Sequence, residues 1–189
     1  TERPRRNGAN PTALDIRRHR LALAVLLASP GLPMLSAGQD FLRSKKGVRN
    51  TYLRGDLNAL DYSLLEKHSE HHAYVRDWIA LRLSETGKLL RPAEHPAESF
   101  YQSFESEDGQ AVVILINADK SAGSRRLLFA VNPSADKEVL LPVSPEQFGE
   151  VVLVANSEKV STQGLQDNFA RKDGFLRLPP VSSAMWTID

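Results

Sequence analysis

Cysteine is absent from the 189-residue sequence, and so is any long apolar segment. The lack of cysteine excludes disulfides, thiolate nucleophiles and zinc sites built on thiolates. The longest apolar run covers residues 21–28, which is far short of the roughly 20 residues that a membrane-spanning helix needs. A basic start followed by a helical pattern is also unlike a secretory signal peptide. We therefore expect a globular protein with no membrane partner.

Basic and acidic residues nearly cancel over the whole chain, but they are unevenly distributed. Residues 1–62 hold 11 Lys and Arg against 5 Asp and Glu, whereas residues 63–189 hold 13 against 18. A basic segment can indicate nucleic-acid binding. No recognised module and no interleaving of basic and aromatic residues accompanies this charge. We expect no nucleic-acid partner, and we interpret the asymmetry as the junction of two structurally different segments.

Two hydrophobic periodicities divide the chain near residue 91. In the first part, Asn10 or Thr12 can cap a helix whose Asp15 is placed to complete the cap. A short strand is predicted over residues 32–36, a polar loop follows to about residue 61, and an amphipathic helix then ends near Glu85. The apolar stripe predicted for the first helix consists of Leu14, Leu21, Val25 and Ala28.

From about residue 92 the pattern changes to short β-rich runs separated by clusters of Gly, Pro, Asn, Asp and Ser. This spacing is typical of an antiparallel β-sandwich. The fold class predicted for the chain is therefore α+β. The runs cover residues 111–117, 126–132, 138–141, 150–155 and 174–178.

One stretch carries a resemblance to a known family. The sequence GLPMLSAGQD at residues 31–40 resembles the G-x-P-x-x-x-x-G-x-E motif at the eighth barrel strand of the α-amylase family of glycoside hydrolases (family 13). The continuation RSK at 43–45, NTY at 50–52 and DLNALDY at 56–62 is similar to the pullulanase, isoamylase and glycogen-debranching branch. Residues 78–82 resemble the last barrel helix, and residues 178–186 resemble the final strand of the C-terminal β-domain.

The resemblance implies a division of the chain and a set of candidate site residues. Residues 1–91 would form the end of a (β/α)8 barrel, with its last strand and flanking helices, and residues 92–189 an all-β sandwich domain. The loop after the strand would line a glucan cleft, because barrel sites lie at the carboxyl ends of the strands. Tyr52, Asp56 and Asn58 are the candidate substrate-binding residues: planar polar groups bind sugar hydroxyls and a ring can stack on a sugar face. Alternatively, Asp56 or Asn58 caps a turn and Tyr52 closes the loop.

Two further residues of the loop have expected roles. Arg43 is expected to brace the loop by pairing with a carboxylate. Asp40 stands where the motif has glutamate, and its carboxylate is one methylene shorter.

Catalytic groups are not predicted in this chain. A retaining glycosidase needs two opposed carboxyl groups, and the family's three catalytic carboxylate motifs precede the segment that begins at Gly31. The sequence contains no His-Asp dipeptide. His68, His71 and His72 have ligand-like spacing, but a solvated helix face is the preferred interpretation, and Trp78 and Trp186 are expected in the core. We expect no catalytic residue, no metal and no cofactor.

The expected function is that of a C-terminal fragment of a glycoside hydrolase acting on α-glucans, inactive by itself. An alternative is a non-catalytic carbohydrate-binding β-sandwich module or a purely structural domain. The stripe of Leu14, Leu21 and Val25 would lack its barrel partners. We therefore expect that this half packs against the β-domain, associates with another copy of the chain, or belongs with a missing N-terminal barrel segment.

Overall fold

A computed structural model describes residues 10–48 and 50–189. Helix α1 (Ala13–Ala28) begins at a capping box, as expected from Thr12 and Asp15. Thr12 Oγ1 accepts a hydrogen bond from the Asp15 amide at 3.2 Å, and the Asp15 carboxylate accepts one from the Thr12 amide at 3.0 Å. Two otherwise orphaned amides are satisfied in this way.

The buried face of α1 differs from the predicted stripe. Leu23, Ala24 and Leu27 are buried, whereas Val25 is 40% exposed. The sequence from Leu21 to Ala28 is apolar almost all round the helix, so periodicity alone does not select a face. Contact with the rest of the chain makes that selection.

The strand predicted over residues 32–36 does not form in the described chain. Leu32 is 96% exposed and Met34 is 86% exposed. A strand exists through hydrogen bonds to a neighbouring strand, and no strand of the described residues pairs with this segment.

Helical turns follow, and the long helix predicted after the loop is divided. The loop contains a 3₁₀ turn (Gln39–Phe41) and the short helix α2 (Gly55–Asn58). Helix α3 (Ser63–Lys67) ends and α4 (Ser69–Leu83) begins at His68, whose φ of −119° and ψ of 33° interrupt the helix. A 3₁₀ segment (Thr86–Leu90) then turns back on α4. A Cβ at Gly87 would lie 2.2 Å from the Arg82 carbonyl oxygen, so this close approach requires glycine.

Within the described residues, eight antiparallel strands form two sheets. The larger sheet has the order β1-β2-β3-β8-β5 and the smaller the order β4-β7-β6. The five predicted β-rich runs all coincide with strands, while β1 and β6 were not predicted as separate strands. In chain order the strands are β1 (Tyr101–Glu105), β2 (Val112–Ile116), β3 (Arg126–Asn132), β4 (Val139–Leu141), β5 (Val151–Asn156), β6 (Arg171–Lys172), β7 (Phe175–Leu178) and β8 (Ser182–Ile188).

The larger sheet is the middle of three layers. Its outer face packs against α1 and α4 through residues such as Leu27, Trp78 and Phe129. Its other face packs against the smaller sheet through residues such as Leu141 and Trp186. Both tryptophans are fully buried, as expected from the sequence. Covering on both faces explains why every residue of β8 is buried. The domain boundary at residue 91 stays a prediction.

Within the described residues, no helix is long and apolar enough to cross a membrane.

Candidate functional site

The polar loop, defined as residues 37–62, closes on its own two ends. Gly38 has a φ of 82°, and a Cβ there would lie 2.9 Å from Cβ of Arg43. The buried Phe41 contacts the ring of Tyr62 at a centroid distance of 5.7 Å. The residues that enter the loop and those that leave it therefore support each other.

Arg43 joins the same two ends by hydrogen bonds. Its Nη2 donates to the Asn58 carbonyl oxygen at 2.6 Å, and its Nη1 is 3.4 Å from the Ala37 carbonyl oxygen. Arg43 thus braces the loop as expected, but its partners are main-chain carbonyls. The prediction that Arg43 pairs with a carboxylate is therefore wrong.

Asn58 is held by Thr51. Its Nδ2 donates to the Thr51 carbonyl oxygen at 2.7 Å, and its Oδ1 accepts from Thr51 Oγ1 at 2.7 Å. Lys45 Nζ also donates to Thr51 Oγ1, at 3.0 Å. Asn58 therefore shapes the loop, and one amide hydrogen of its side chain is left for a ligand. Its direct contact with substrate stays a prediction.

Tyr52 and Asp56 lie at the exposed part of the loop. Tyr52 is 81% exposed, beside the exposed Leu53 with its φ of 60°. Asp56 accepts two hydrogen bonds from Arg54, from Nε at 2.8 Å and from Nη2 at 2.7 Å. These hydrogen bonds hold the pKa of Asp56 below its usual value. The pair presents a carboxylate and a guanidinium to solvent, which are groups that bind vicinal hydroxyls.

A carboxylate at the start of the loop contacts helix α4. Asp40 Oδ2 is 2.8 Å from His72 Nδ1, so the residue in place of the motif's glutamate ties the loop to the helical layer. Sequence reasoning did not predict this partner, because the two residues are 32 positions apart.

The neighbouring histidine is buried, contrary to the solvated face predicted for the cluster. His71 is 2% exposed, and its Nε2 is 3.0 Å from His19 Nδ1 on α1. Burial, with smaller effects from nearby charges, lowers the pKa of His71 to about 3 and that of His19 to about 4. Both imidazoles are therefore neutral at neutral pH. Across residues 10–48 and 50–189, no group of three or more His, Cys, Asp or Glu could hold a metal ion.

Arg82 fixes the chain that leads into the exposed segment. Its buried guanidinium donates to four carbonyl oxygens, at distances from 2.5 to 3.0 Å. The guanidinium thereby caps the C-terminal end of α1, holds the turn before residue 32 and ties both to the 3₁₀ segment after α4. The four carbonyls belong to Leu27, Ser29, Gly31 and Leu90.

An apolar hollow of about 550 Å³ adjoins the exposed segment of residues 32–36. Pro33 and Leu35 line it from the segment, and Ile79 and Leu83 line it from α4. Leu32, Met34 and Leu83 are themselves exposed. A contiguous exposed apolar surface of this kind marks an interaction site.

Comparison with known proteins supports the predicted resemblance. No family model matches the chain. Pullulanase of Bacillus subtilis (strain 168) is 40% identical over 77 residues, which make up 40% of this chain and 11% of that protein. Isoamylase of Flavobacterium sp is 37% identical over 75 residues, or 39% of this chain and 9% of that protein. The chain is thus similar to the pullulanase and isoamylase branch, and it spans about a tenth of the length of these relatives.

The fold is similar over nearly the whole chain. The crystal structure of pullulanase complexed with maltotetraose from Anoxybacillus sp. LM18-11 matches with a TM-score of 0.71 at 20% identity. The match covers 96% of this chain and 25% of that one. The helical layer and both sheets therefore share their arrangement with part of a larger glycoside hydrolase.

Proposed function

We propose that this chain is the C-terminal part of a pullulanase-like or isoamylase-like glycoside hydrolase acting on α-glucans. Residues 1–91 complete a (β/α)8 barrel, and residues 92–189 form its β-sandwich domain. The chain supplies one wall of the substrate cleft, and the catalytic carboxylates belong to another part of the enzyme.

The observation that carries the proposal is the exposed segment of residues 32–36. It lies between α1 and α4 in the chain, as a barrel strand lies between two helices. Its apolar side chains reach solvent and no described strand pairs with it. Unpaired apolar strand edges invite pairing with another strand. Neighbouring barrel strands would cover both the segment and the adjoining hollow.

The position of the polar loop supports a role at the cleft. It begins directly after the exposed segment, which is where active-site loops of (β/α)8 barrels begin. Tyr52, Asp56 and Asn58 are the proposed glucan contacts of this loop. Asn58 would act mainly through its hold on Thr51, and Tyr52 and Asp56 through direct contact.

The coding sequence upstream of Thr1 tests the barrel assignment first. The proposal expects the family's three catalytic carboxylate motifs there. An upstream sequence without them contradicts it.

Reconstitution gives a biochemical test of the same assignment. The chain is mixed with the Bacillus subtilis relative truncated before the region that matches residue 10, and release of reducing sugar from pullulan is measured. We expect association and recovered hydrolysis with the natural chain. A Leu32→Asp/Met34→Asp variant should fail, and Leu140→Asp, at an exposed leucine of β4, is the matched control. Equal behaviour of the two variants contradicts a role for the exposed segment.

A further inference from the structure

A polar groove of about 360 Å³ lies on the far side of α1 from the polar loop. Asp15 and His19 line a hollow between α1 and the loop, whereas Arg17 lines the groove. Arg17 is two residues from each of them, which places it on roughly the opposite face of the helix. Helix α1 therefore separates the groove from the loop.

The groove is built from five parts of the chain, several of them held in position by hydrogen bonds. Besides α1, its walls are Glu138 before β4, the turn after β5, the segment before β6, and the end of β7 with the turn that follows it. Asn156 Oδ1 accepts from the amides of Glu158 and Lys159, both at 2.8 Å. Ser157 Oγ accepts from the Ser183 amide at 3.1 Å. Walls held in this way are preorganised, which lowers the entropic cost of binding.

An aromatic ring forms part of the wall. Phe169 lines the groove and packs edge-on against the buried Trp186, at a centroid distance of 5.5 Å. Its amide donates to the Asp167 carboxylate at 3.1 Å, which fixes the backbone there. The ring is half-buried, so part of its surface is available to an apolar sugar face.

The polar groups that line the groove have unused hydrogen-bonding capacity. Among the described residues, the Asn156 Nδ2 group, the Asn168 amide and the Arg17 guanidinium have no hydrogen-bond partner. The other charged groups are paired: Arg177 with Glu138 at 2.9 Å, and Glu158 with Arg20 at 2.8 Å. With the remaining charges paired, the two planar amides and the guanidinium offer hydrogen-bond donors to the hydroxyls of a sugar.

We infer that this groove is a second α-glucan binding site, remote from the cleft and sized for a short oligosaccharide. Its volume lies near the lower end of small-molecule sites, about 300–1,000 Å³. The identity of the sugar rests on the proposed function, whereas the site itself rests on the groove. Asn156 and Asn168 donate to sugar hydroxyls, Arg17 closes the α1 side, and Phe169 contacts a sugar face.

Titration of the ¹⁵N-labelled 189-residue chain with maltotetraose tests the inference. Amide shift changes are followed separately at residues 50–58 of the loop and at residues 156–158 and 168–170 of the groove. Asn168→Ala and Arg17→Ala should each weaken the groove response by roughly three- to tenfold, as expected for one lost hydrogen bond. Gln166→Ala, an exposed change in the same segment as Asn168, is the matched control and should change nothing.

The outcomes separate this inference from the proposed function. Shift changes in the groove that persist in Tyr52→Ala/Asp56→Ala and weaken in Asn168→Ala support the second site. Groove shifts without loop shifts support it too, because the groove is complete in this chain whereas the proposed cleft is not. Loop shifts alone, at saturation, overturn the second site and leave the proposed function intact. No shift in the groove overturns the second site, whereas a silent loop leaves the proposed function to the reconstitution experiment, because the chain supplies only one wall of the cleft. An equal groove response to sucrose overturns the assignment of the groove to α-glucan.

Discussion

Leu27 and Leu32 lie on either side of the turn that follows α1, yet Leu27 is 1% exposed and Leu32 is 96% exposed. Leu27 faces the larger sheet within a core shared by α1, α4 and four of its strands. Leu32 begins the segment of residues 32–36, with which no strand of the described residues pairs. The helical layer is therefore covered on its sheet side and exposed on the other. Its stability should come from the sheet side, and its function, under the proposal above, from the other.

Truncating one leucine on each side gives the largest expected contrast. Leu27→Ala should lower the free energy of unfolding by about 2–5 kcal/mol, because it leaves a cavity in a buried cluster. Leu32→Ala should change it by less than about 0.5 kcal/mol. Urea unfolding followed by far-ultraviolet circular dichroism measures both. A large loss for Leu32→Ala would mean that the segment is already covered in solution, for example by a second copy of the chain.

Removing the Arg82 guanidinium, which donates to four carbonyl oxygens, should lower the free energy of unfolding nearly as much. Arg82→Ala leaves buried carbonyl oxygens without a donor. A hydrogen bond to a charged group contributes about 1.5–3 kcal/mol to stability. We expect a total loss of about 3 kcal/mol, since part of the network can relax or be hydrated. Arg76→Ala is the matched control: this exposed arginine of α4 pairs with Asp77, and its removal should cost less than about 1 kcal/mol. Equal losses of stability in Arg82→Ala and Arg76→Ala would contradict a structural role for the Arg82 hydrogen bonds.

Acid should loosen the contact between α1 and α4 through His71, which is buried, and His19, which is half-buried. The pKa of His19 is lowered to about 4 and that of His71 to about 3, so below about pH 6.5 the unfolded chain binds more protons than the folded chain. Stability is therefore fully present above that pH and is lost as the pH falls towards 4 and 3. As the pH falls from about 6.5 towards these pKa values, each histidine lowers the free energy of unfolding by up to about 1.4 kcal/mol per pH unit.

A variant series isolates that effect. Midpoints of urea unfolding are measured between pH 7 and pH 4 for the natural chain, His71→Phe and His95→Gln. His71→Phe should flatten the pH dependence, because it removes one buried imidazole. His95 is in an exposed loop and contacts only the neighbouring Pro96 carbonyl oxygen among the described residues, so His95→Gln should follow the natural chain. A natural chain with no fall in stability below pH 6 contradicts the prediction.

The β-rich half was predictable because its signals are local. Runs of β-branched and apolar residues between turn clusters locate the strands at residues 126–132 and 150–155 to within one or two residues. Strand β1 (YQSFE) was not predicted, because it is an edge strand whose mostly polar residues are only partly buried. Strand β6 is two residues long, too short for any periodicity.

The helical half was less predictable because its outcome depends on what packs against it. Residues 32–36 have strand-like composition, but a strand needs a partner strand. The apolar residues of α1 occupy more than one face, and the sheet decides which are buried. His71 and His72 are adjacent in sequence, yet one reaches His19 and the other Asp40. Contacts between distant residues of this kind leave no local pattern.

The smallest expected effect concerns how the polar loop is held on the exposed side of the helical layer. Asp40 ties the loop to His72 from outside, whereas Thr51 and Asn58 hold it from within. Asp40→Ala should cost less than about 1 kcal/mol of stability, because the pair is partly exposed, but it should speed amide hydrogen exchange around residues 39–43. Thr51→Val should instead speed exchange at residues 51–58, because the hydrogen bond from Thr51 Oγ1 to Asn58 Oδ1 is lost. His72→Ala should reproduce the Asp40→Ala pattern, and the double variant should add little to either one. Additive effects of Asp40→Ala and His72→Ala on exchange would show that the two side chains act separately, and the loop would then be oriented by Phe41 and the backbone alone.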